Sequence, residues 1–329
     1  MHAAVSTAGT RVGLECELPW VTHLLAECCG DTLDLDPATP ADAAQMHIRI
    51  ESSRDPFDVS GLTLLSRSAW AGAGALVMRD VCTSGFDLRL SMDDGNPVLA
   101  YRWRPPYATR AAATALRARF RLLARAALLQ YPAMWWASTR GAAPLHAPVL
   151  STDGFALLLA GPAGVGKTTL LMRELRHGGA ATSDNLCVSD GRRCWGVVEP
   201  ARLEGATGRR MTHGRREMQL PQRVECLVPD IVIVLRRSST GSMDVRYCST
   251  EEAARSLAGG TYMAGELRRY WAFAATLATA TGLGPVHPAV TETSVTLSRR
   301  LTCLEVGLPA NRDWRVHEAL EAAESSTCA

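Results

Sequence analysis

Short apolar segments, separated by Gly, Pro and Asp, recur in the first third of the chain. The segments are MHIRIES (46–52), GALVMRDV (74–81), FDLRLSM (86–92) and PVLAYRWR (97–104). Several of them alternate apolar and polar residues, as HIRIE and DLRLS do, and this period of two predicts half-buried antiparallel strands. A short element around Trp20 to Cys29 and a turn-rich stretch, DTLDLDPATPAD, are predicted before them.

The pattern changes to helical spacing after Pro105-Pro106. In TRAAATALRARFRLLARAALLQ (109–130) apolar residues recur every three or four positions, which predicts one long amphipathic helix. Its arginines suit a solvated face or an acidic partner. The next stretch, WWASTRGAAP (135–144), is interpreted as the joint between two domains, 1–140 and 141–329.

From Leu145 onward the pattern is that of an α/β domain. HAPVL and FALLLAG, separated by Thr152-Asp153-Gly154, predict a strand, a hairpin turn and a buried strand. The helix TTLLMRELRHGG, short strands in AATSDNLCVSDG and CWGVVEP, and the strand DIVIVLRR are predicted next. EEAARSLAG and AGELRRYWAFAATLATATG are predicted helices, VTETSVTLSRRLTCLEVGLP a final strand or two, and WRVHEALEAAES a closing helix.

Composition favours a packed globular protein. Of 329 residues, 47% are hydrophobic and 21% charged, and the net charge of +2 gives no support to a nucleic-acid or membrane partner. The N-terminal segment lacks the basic start and apolar run of a secretory signal, so no such signal is expected. The chain has no apolar run of 18 residues, so no membrane span is predicted. The ten cysteines form no C-x-x-C pair, so free thiols in a cytoplasmic protein are expected.

The segment GPAGVGKTTL (161–170) carries the clearest chemistry. It matches G-x-x-x-x-G-K-[ST] in full, after a predicted buried strand and at the start of a predicted helix. Backbone N–H groups and the helix N-terminus are expected to bind nucleotide phosphates. The predicted nucleotide-binding residues are Gly161, Pro162, Ala163, Gly164, Val165, Gly166, Lys167, Thr168 and Thr169. Lys167 is expected to reach the terminal phosphates, and Thr168 to offer its hydroxyl to Mg²⁺.

Lys167 is also the only lysine in the chain, although lysine and arginine together number 35. A coding bias that replaces lysine with arginine is expected to spare a lysine where a compact ammonium group is needed and a planar guanidinium does not fit. This supports a phosphate-binding role for Lys167.

Asp184 is the first acidic residue after the predicted loop helix. On the strand beside the loop, a carboxylate is placed to accept the proton of an attacking hydroxyl, as a kinase base does. A capping or turn role is the alternative. The strand DIVIVLRR ends in arginines, not in the metal-binding Asp that a phosphate-loop NTPase usually carries there.

The segments LHAPVLSTDGFALLLAGPAGVGKTTL and HGGAATSDNLCV resemble the HPr kinase/phosphorylase superfamily, and more closely its diverged kinase-like branch. The matching positions are His146, Gly154, Gly161 to Thr168 and Ser183-Asp184. The resemblance implies an α/β fold with a phosphate-loop kinase core of the HPr kinase C-terminal type, a mixed sheet flanked by helices. A smaller α+β domain would precede this core and hold the acceptor.

The resemblance also implies roles for individual residues. Asp184 would be the catalytic base, with Lys167, and His146 would lie near the phosphates or the acceptor unless it is a structural strand histidine. ATP, or GTP, would bind with Mg²⁺, for which Thr168, Asn185 and Glu199 are the candidate ligands. Four arginines would contact phosphate or an acceptor carboxylate, or form a solvated loop. They are Arg209, Arg210, Arg215 and Arg216.

Two departures from the family pattern narrow the expected function. Asn185 replaces the second Asp, which puts the reverse phosphorylase reaction in doubt. The arginine-dense EPARLEGATGRRMTHGRREMQLP (199–221) replaces a glycine-rich segment, which argues against HPr as the acceptor.

The diverged branch occurs in biosynthetic clusters for ribosomally made peptides, lasso peptides among them. The resemblance therefore implies a kinase for a Ser or Thr hydroxyl of a peptide or protein, with the C-terminal serine of a lasso precursor as the expected acceptor. A regulatory NTPase that only hydrolyses nucleotide, and a binding module without turnover, are the alternatives. A homo-oligomer is left open, because an interface cannot be carried over from a motif-sized match.

Overall fold

The computed structural model describes residues 1–35, 44–72, 74–205, 208–211, 214–238, 242–309 and 314–327. It divides the chain into two compact units. The first comprises Met1–Arg140, Thr207–Glu217 and Arg269–His287, and the second Gly141–Ala206, Met218–Arg268 and Pro288–Ala329. The prediction of one continuous C-terminal domain, 141–329, is therefore corrected, because two of its segments belong to the first unit. The first unit is also not the smaller one, and most of the turn-rich stretch 31–42 lies outside the described residues.

Nine strands and four α-helices are formed by the described residues among the first 140. The strands are β1 (His2–Thr7), β2 (Thr10–Cys16), β3 (Leu33–Asp34), β4 (Met46–Glu51), β5 (Thr63–Ser66), β6 (Ala69–Gly72), β7 (Ala75–Met78), β8 (Phe86–Asp93) and β9 (Asn96–Trp103). The helices are α1 (Pro19–Cys29), α2 (Tyr107–Ala115), α3 (Arg117–Arg125) and α4 (Tyr131–Thr139). All nine strands join one sheet in the order β3-β1-β2-β4-β9-β8-β7-β6-β5.

The four strands predicted in this unit are confirmed, as β4, β7, β8 and β9. Their pairing differs in one respect, because β4 runs parallel to both β2 and β9. The β1–β2 hairpin was not predicted from the sequence. Its turn places Ala8 and Gly9 at positive φ (52° and 66°), the geometry of a tight two-residue hairpin.

The predicted long helix over 109–130 is interrupted. At Leu116 the backbone leaves helical geometry (φ −117°, ψ 50°), which separates α2 from α3. A π-helical turn, Ala126–Gln130, then continues into α4, and the Tyr101 hydroxyl donates to the Ala127 carbonyl at 2.8 Å. Trp135, on α4, is 1% exposed. The stretch that begins at Trp135 is therefore a core helix as far as Thr139, and the boundary between the two units follows between Arg140 and Gly141.

The rest of the chain forms twelve strands and five helices in the described residues. The strands are β10 (Ala143–Leu145), β11 (Val149–Thr152), β12 (Phe155–Ala160), β13 (Ala180–Ala181), β14 (Cys187–Ser189), β15 (Cys194–Gly196), β16 (Ala201–Glu204), β17 (Arg215–Met218), β18 (Cys226–Leu227), β19 (Ile231–Arg237), β20 (Asp244–Tyr247) and β21 (Thr302–Leu308). The helices are α5 (Lys167–Arg176), α6 (Thr250–Tyr262), α7 (Tyr270–Thr281), α8 (Val290–Arg300) and α9 (Val316–Thr327). Helix α7 belongs to the first unit.

The second unit is built on a six-stranded mixed sheet in the order β13-β11-β12-β19-β21-β20. Strands β12, β19 and β21 are parallel neighbours. Their continuous apolar sequences follow from burial on both faces, which a parallel sheet requires. Leu157, Leu171, Ile233, Leu304 and Val316 share one core between this sheet, α5 and α9. A separate four-stranded sheet has the order β10-β14-β15-β18.

Most predicted elements of this part are confirmed. The β11–β12 hairpin turns at Asp153 and Gly154, both at positive φ, and α5 follows the glycine loop. The prediction for VTETSVTLSRRLTCLEVGLP is wrong in its first half, because Val290–Arg300 is helix α8 and only β21 is a strand. Among the described residues, no helix has both the length and the apolar character needed to cross a membrane.

Candidate nucleotide site

The loop of residues 161–166 joins the end of β12 to the start of α5. Gly161, Gly164 and Gly166 have φ of 140°, 78° and 122°, which residues with a side chain rarely adopt. A Cβ added at Gly161 would lie 2.7 Å from the Leu235 carbonyl oxygen on β19. The loop therefore lies directly against the neighbouring strand, where only glycine fits.

Lys167 is the first residue of α5 and is buried. Its Nζ donates to the Gly161 carbonyl at 2.7 Å and to the Pro162 carbonyl at 3.1 Å. Burial lowers the pKa of Lys167 to about 8, although Glu266 and Asp184 act in the opposite direction. The ammonium group is thus held across the base of the loop by two backbone carbonyls.

Asp184 lies three residues after β13 and is 1% exposed. Its Oδ2 accepts from the Asn185 side-chain amide at 3.1 Å and from the Arg202 backbone N–H at 3.3 Å. Its Oδ1 is buried and accepts no hydrogen bond from any residue that the structure describes. Burial raises the pKa of Asp184, and the nearby Thr168 hydroxyl opposes this shift. The predicted base therefore lies beside the start of α5.

A partly buried arginine lies between two further carboxylates near this position. Arg202 Nη2 lies 3.1 Å from Glu266 Oε1 and 3.6 Å from Glu199 Oε2. Burial alone would lower the pKa of Arg202, but Glu199, Glu266 and Asp184 together raise it. The sequence analysis missed Arg202 and Glu266. For Arg202 a signal was present, because Glu199 and Arg202, three residues apart, are the two charged residues of CWGVVEPAR (194–202).

Glu199 has a local structural role. Its Oε1 accepts from the backbone N–H groups of Asn185 and Leu186 at 2.9 and 3.0 Å. Burial raises the pKa of Glu199 to about 7, against the effect of Arg202. These contacts hold the backbone that follows Asp184, so Glu199 positions the site through Asn185.

Among the predicted metal ligands, the Thr168 hydroxyl is the best suited to Mg²⁺, since Mg²⁺ prefers oxygen ligands. The side-chain nitrogen of Asn185 is bonded to Asp184, and Oε1 of Glu199 is engaged by two N–H groups. No group of three or more His, Cys, Asp or Glu side chains within the described ranges is arranged to hold a metal ion.

His146 follows β10 and is buried in the second unit. Its backbone N–H donates to the Thr261 hydroxyl at 3.0 Å, and its Nδ1 finds no hydrogen-bond partner in the described residues. Burial and the charge of Lys167 lower the pKa of His146 to about 4. The ring is therefore neutral at pH 7, and the charges of Lys167, Glu266 and Arg202 all act on its pKa.

The four arginines of the predicted acceptor contact lie in the segment that belongs to the first unit. Arg209 pairs with Glu27, and Arg216 Nη1 donates to the Gly208 carbonyl at 2.9 Å. Arg210 and Arg216 form an isolated β-bridge, and Arg215 is exposed. They are thus not part of the unit that carries the glycine loop, and an acceptor contact remains a prediction.

No protein-family model matches this chain, and no curated protein matches it at a significant level. The function is therefore argued from the loop motif and from the geometry around Lys167 and Asp184.

Proposed function

We propose that this chain is an ATP- and Mg²⁺-dependent kinase that phosphorylates a Ser or Thr hydroxyl of a peptide or protein. The observation that carries the proposal is Oδ1 of Asp184, which is buried beside the start of α5 and has no hydrogen-bond partner among the described residues. A carboxylate oxygen without a hydrogen-bond partner, next to a phosphate loop, is suited to accept a proton from an attacking hydroxyl. GTP in place of ATP would fit the same loop.

The order β12, loop and α5, with β19 parallel beside β12, supports a phosphate-loop kinase core of the HPr kinase type. Backbone N–H groups of residues 163–168 would bind the phosphates. Lys167 would exchange the Gly161 and Pro162 carbonyls for phosphate oxygens. The raised pKa of Asp184 suits a group that must take up a proton, and Arg202 and Asn185 fix its orientation.

In the reaction, Asp184 Oδ1 would accept the proton of the acceptor hydroxyl while the hydroxyl oxygen bonds to the γ-phosphorus. The bond between the γ-phosphorus and the oxygen that bridges to the β-phosphate would break, and its electron pair would leave with ADP. Mg²⁺, when bound, would neutralise phosphate charge, and the Thr168 hydroxyl would hold it, with Asn185 as a second candidate ligand. His146, neutral at pH 7, would contribute a polar ring without a charge.

The acceptor proposed is a ribosomally made precursor peptide with a terminal serine, in the cytoplasm. The test is to incubate the protein with Mg²⁺, ATP and peptides that end in serine, and to measure mass. One transferred group adds about 80 Da to the peptide. The same peptide ending in alanine is the control, since it offers no terminal hydroxyl.

The role of Asp184 is tested by Asp184→Asn, with Asp153→Asn in the exposed β11–β12 turn as the matched control. Asp184→Asn is expected to abolish transfer and to leave nucleotide binding largely intact. Normal transfer by this variant would show that the base is another residue. Steady phosphate release with no labelled peptide would instead identify a regulatory NTPase.

A further inference from the structure

Arg237 ends β19 at the same edge of the sheet as the glycine loop. Because β19 is parallel to β12, the carboxyl ends of both strands meet at this edge, where α/β proteins bind ligands. Arg237 Nη2 donates to the carbonyl oxygen of Gly164 at 3.0 Å. Gly164 lies in the middle of the loop, and Arg237 is exposed. A guanidinium group therefore lies against the phosphate loop.

The neighbouring Arg236 shows that this placement is not shared by both terminal arginines of β19. Arg236 pairs with Asp244, and its Nε donates to Glu305 Oε1 at 2.6 Å. Arg237, in contrast, forms no ion pair with any carboxylate in the described part of the chain. Among the residues that the structure describes, carboxylates compensate the charge of Arg236, whereas none compensates that of Arg237.

An uncompensated guanidinium on a phosphate loop has a clear chemical use. It presents five N–H donors in a plane that matches phosphate oxygens, and the bond to Gly164 uses one of them. Lys167 supplies only one positive charge to a nucleotide whose terminal phosphates carry several negative charges. In phosphate-loop NTPases an Asp that binds the metal ion usually stands where β19 ends. An arginine at this position would instead compensate the negative charge of the phosphates directly.

We propose that Arg237 binds the terminal phosphate of the nucleotide and supplements Lys167 from the end of the neighbouring strand. The proposal rests on the nucleotide site of the proposed function. It assigns Arg237 to the γ-phosphate and not to the acceptor, because the residue contacts the loop itself.

The test compares ATP and ADP affinities of the full chain by calorimetry in the presence of Mg²⁺. Arg237→Gln is expected to weaken ATP binding about tenfold, the loss typical of one charge-assisted hydrogen bond, and to change ADP binding much less. Arg237→Lys keeps the charge without the fork and should recover part of the loss. Arg236→Gln is the matched control and should leave the ratio of ATP to ADP affinity unchanged.

Equal loss of ATP and ADP affinity in Arg237→Gln would overturn the proposal, because a residue that only supports the loop affects both nucleotides alike. Unchanged ATP affinity with a raised KM for the peptide would also overturn it and assign Arg237 to the acceptor. If the wild-type chain binds ATP but transfers nothing, the kinase function fails, and the ATP-to-ADP comparison still tests Arg237. If it binds neither nucleotide, both proposals fail.

Discussion

The backbone N–H of Arg202 donates to Oδ2 of Asp184 at 3.3 Å, while the guanidinium group of the same residue faces Glu266 and Glu199. One residue thus orients the proposed base through its main chain and compensates the charges of two carboxylates, one of them buried, through its side chain. These two actions can be separated by mutation, because a side-chain change leaves the N–H in place.

Arg202→Met is expected to lower the free energy of unfolding by about 2 kcal/mol, because it leaves the buried Glu199 and the partly buried Glu266 without the guanidinium group that faces them. Urea unfolding measures the change. The double variant Arg202→Met/Glu266→Gln should lose less than the sum of the two single variants. Additive losses would mean that the two side chains do not interact.

His146 predicts a pH dependence of stability. Burial lowers its pKa from 6.5 to about 4, so between these values the unfolded chain binds a proton that the folded chain does not. This group alone therefore makes the free energy of unfolding fall by about 1.4 kcal/mol for each unit that the pH drops through this window. Above pH 6.5 its effect is constant.

His146→Gln should remove this contribution to the slope, while His177→Gln, at an exposed position, should keep it. Urea unfolding at several pH values between 4.5 and 7 measures both slopes. Identical slopes for His146→Gln and the wild type would contradict the buried, neutral state of this ring.

Two glycines of the loop are expected to differ in their tolerance of alanine. Gly161→Ala brings a Cβ to 2.7 Å from the Leu235 carbonyl oxygen, whereas a Cβ at Gly164 has no atom of another described residue within 4 Å. Gly164→Ala should therefore cost only the strain of a positive φ, about 1 kcal/mol. Gly161→Ala should cost about 3 kcal/mol, because β19 must also shift. Unfolding without nucleotide measures both, and equal losses would refute the close approach of loop and strand.

The ion pair between Arg125 and Glu217 is expected to anchor the segment Thr207–Glu217 in the first unit. The two residues are 2% and 7% exposed. Glu217→Gln should lower stability by about 3 kcal/mol, because it leaves a buried guanidinium without its carboxylate. The double variant Arg125→Met/Glu217→Leu should recover most of this loss, and thermal unfolding measures it. A loss as large in the double variant as in the single one would show that the charges themselves are needed.

Local pattern predicted those elements whose sequence period agrees with their burial. Strand β19 and the helix α5 are examples, since their apolar spacing matches the faces that the fold buries. Helix α8 was mistaken for a strand because it is rich in Thr and Val, which favour strands. Its buried Val290, Ser294 and Leu297 nevertheless follow helical spacing, and packing overrides the local preference.

The residues of the candidate site that lie within or near the loop motif were predicted from the sequence. Those that are distant from it in sequence were missed. The loop residues and Asp184 follow from local signals. Glu266 lies 64 residues from Arg202, and Arg237 lies 73 residues from Gly164. Only the tertiary fold brings these residues together, and no periodicity in the sequence indicates it. The same holds for Arg209 and Glu27, which place the arginine-dense segment in the first unit.

Lys167 is the only lysine in the chain and is buried, with its amine bonded to the glycine loop. Reagents that acylate or alkylate ε-amino groups therefore have a single side-chain target in this molecule. Because any ligand that draws this amine away from its two carbonyls changes its accessibility, the rate of labelling at one residue reports occupancy of the loop. The protein thus carries its own probe for ligand binding, without an engineered label.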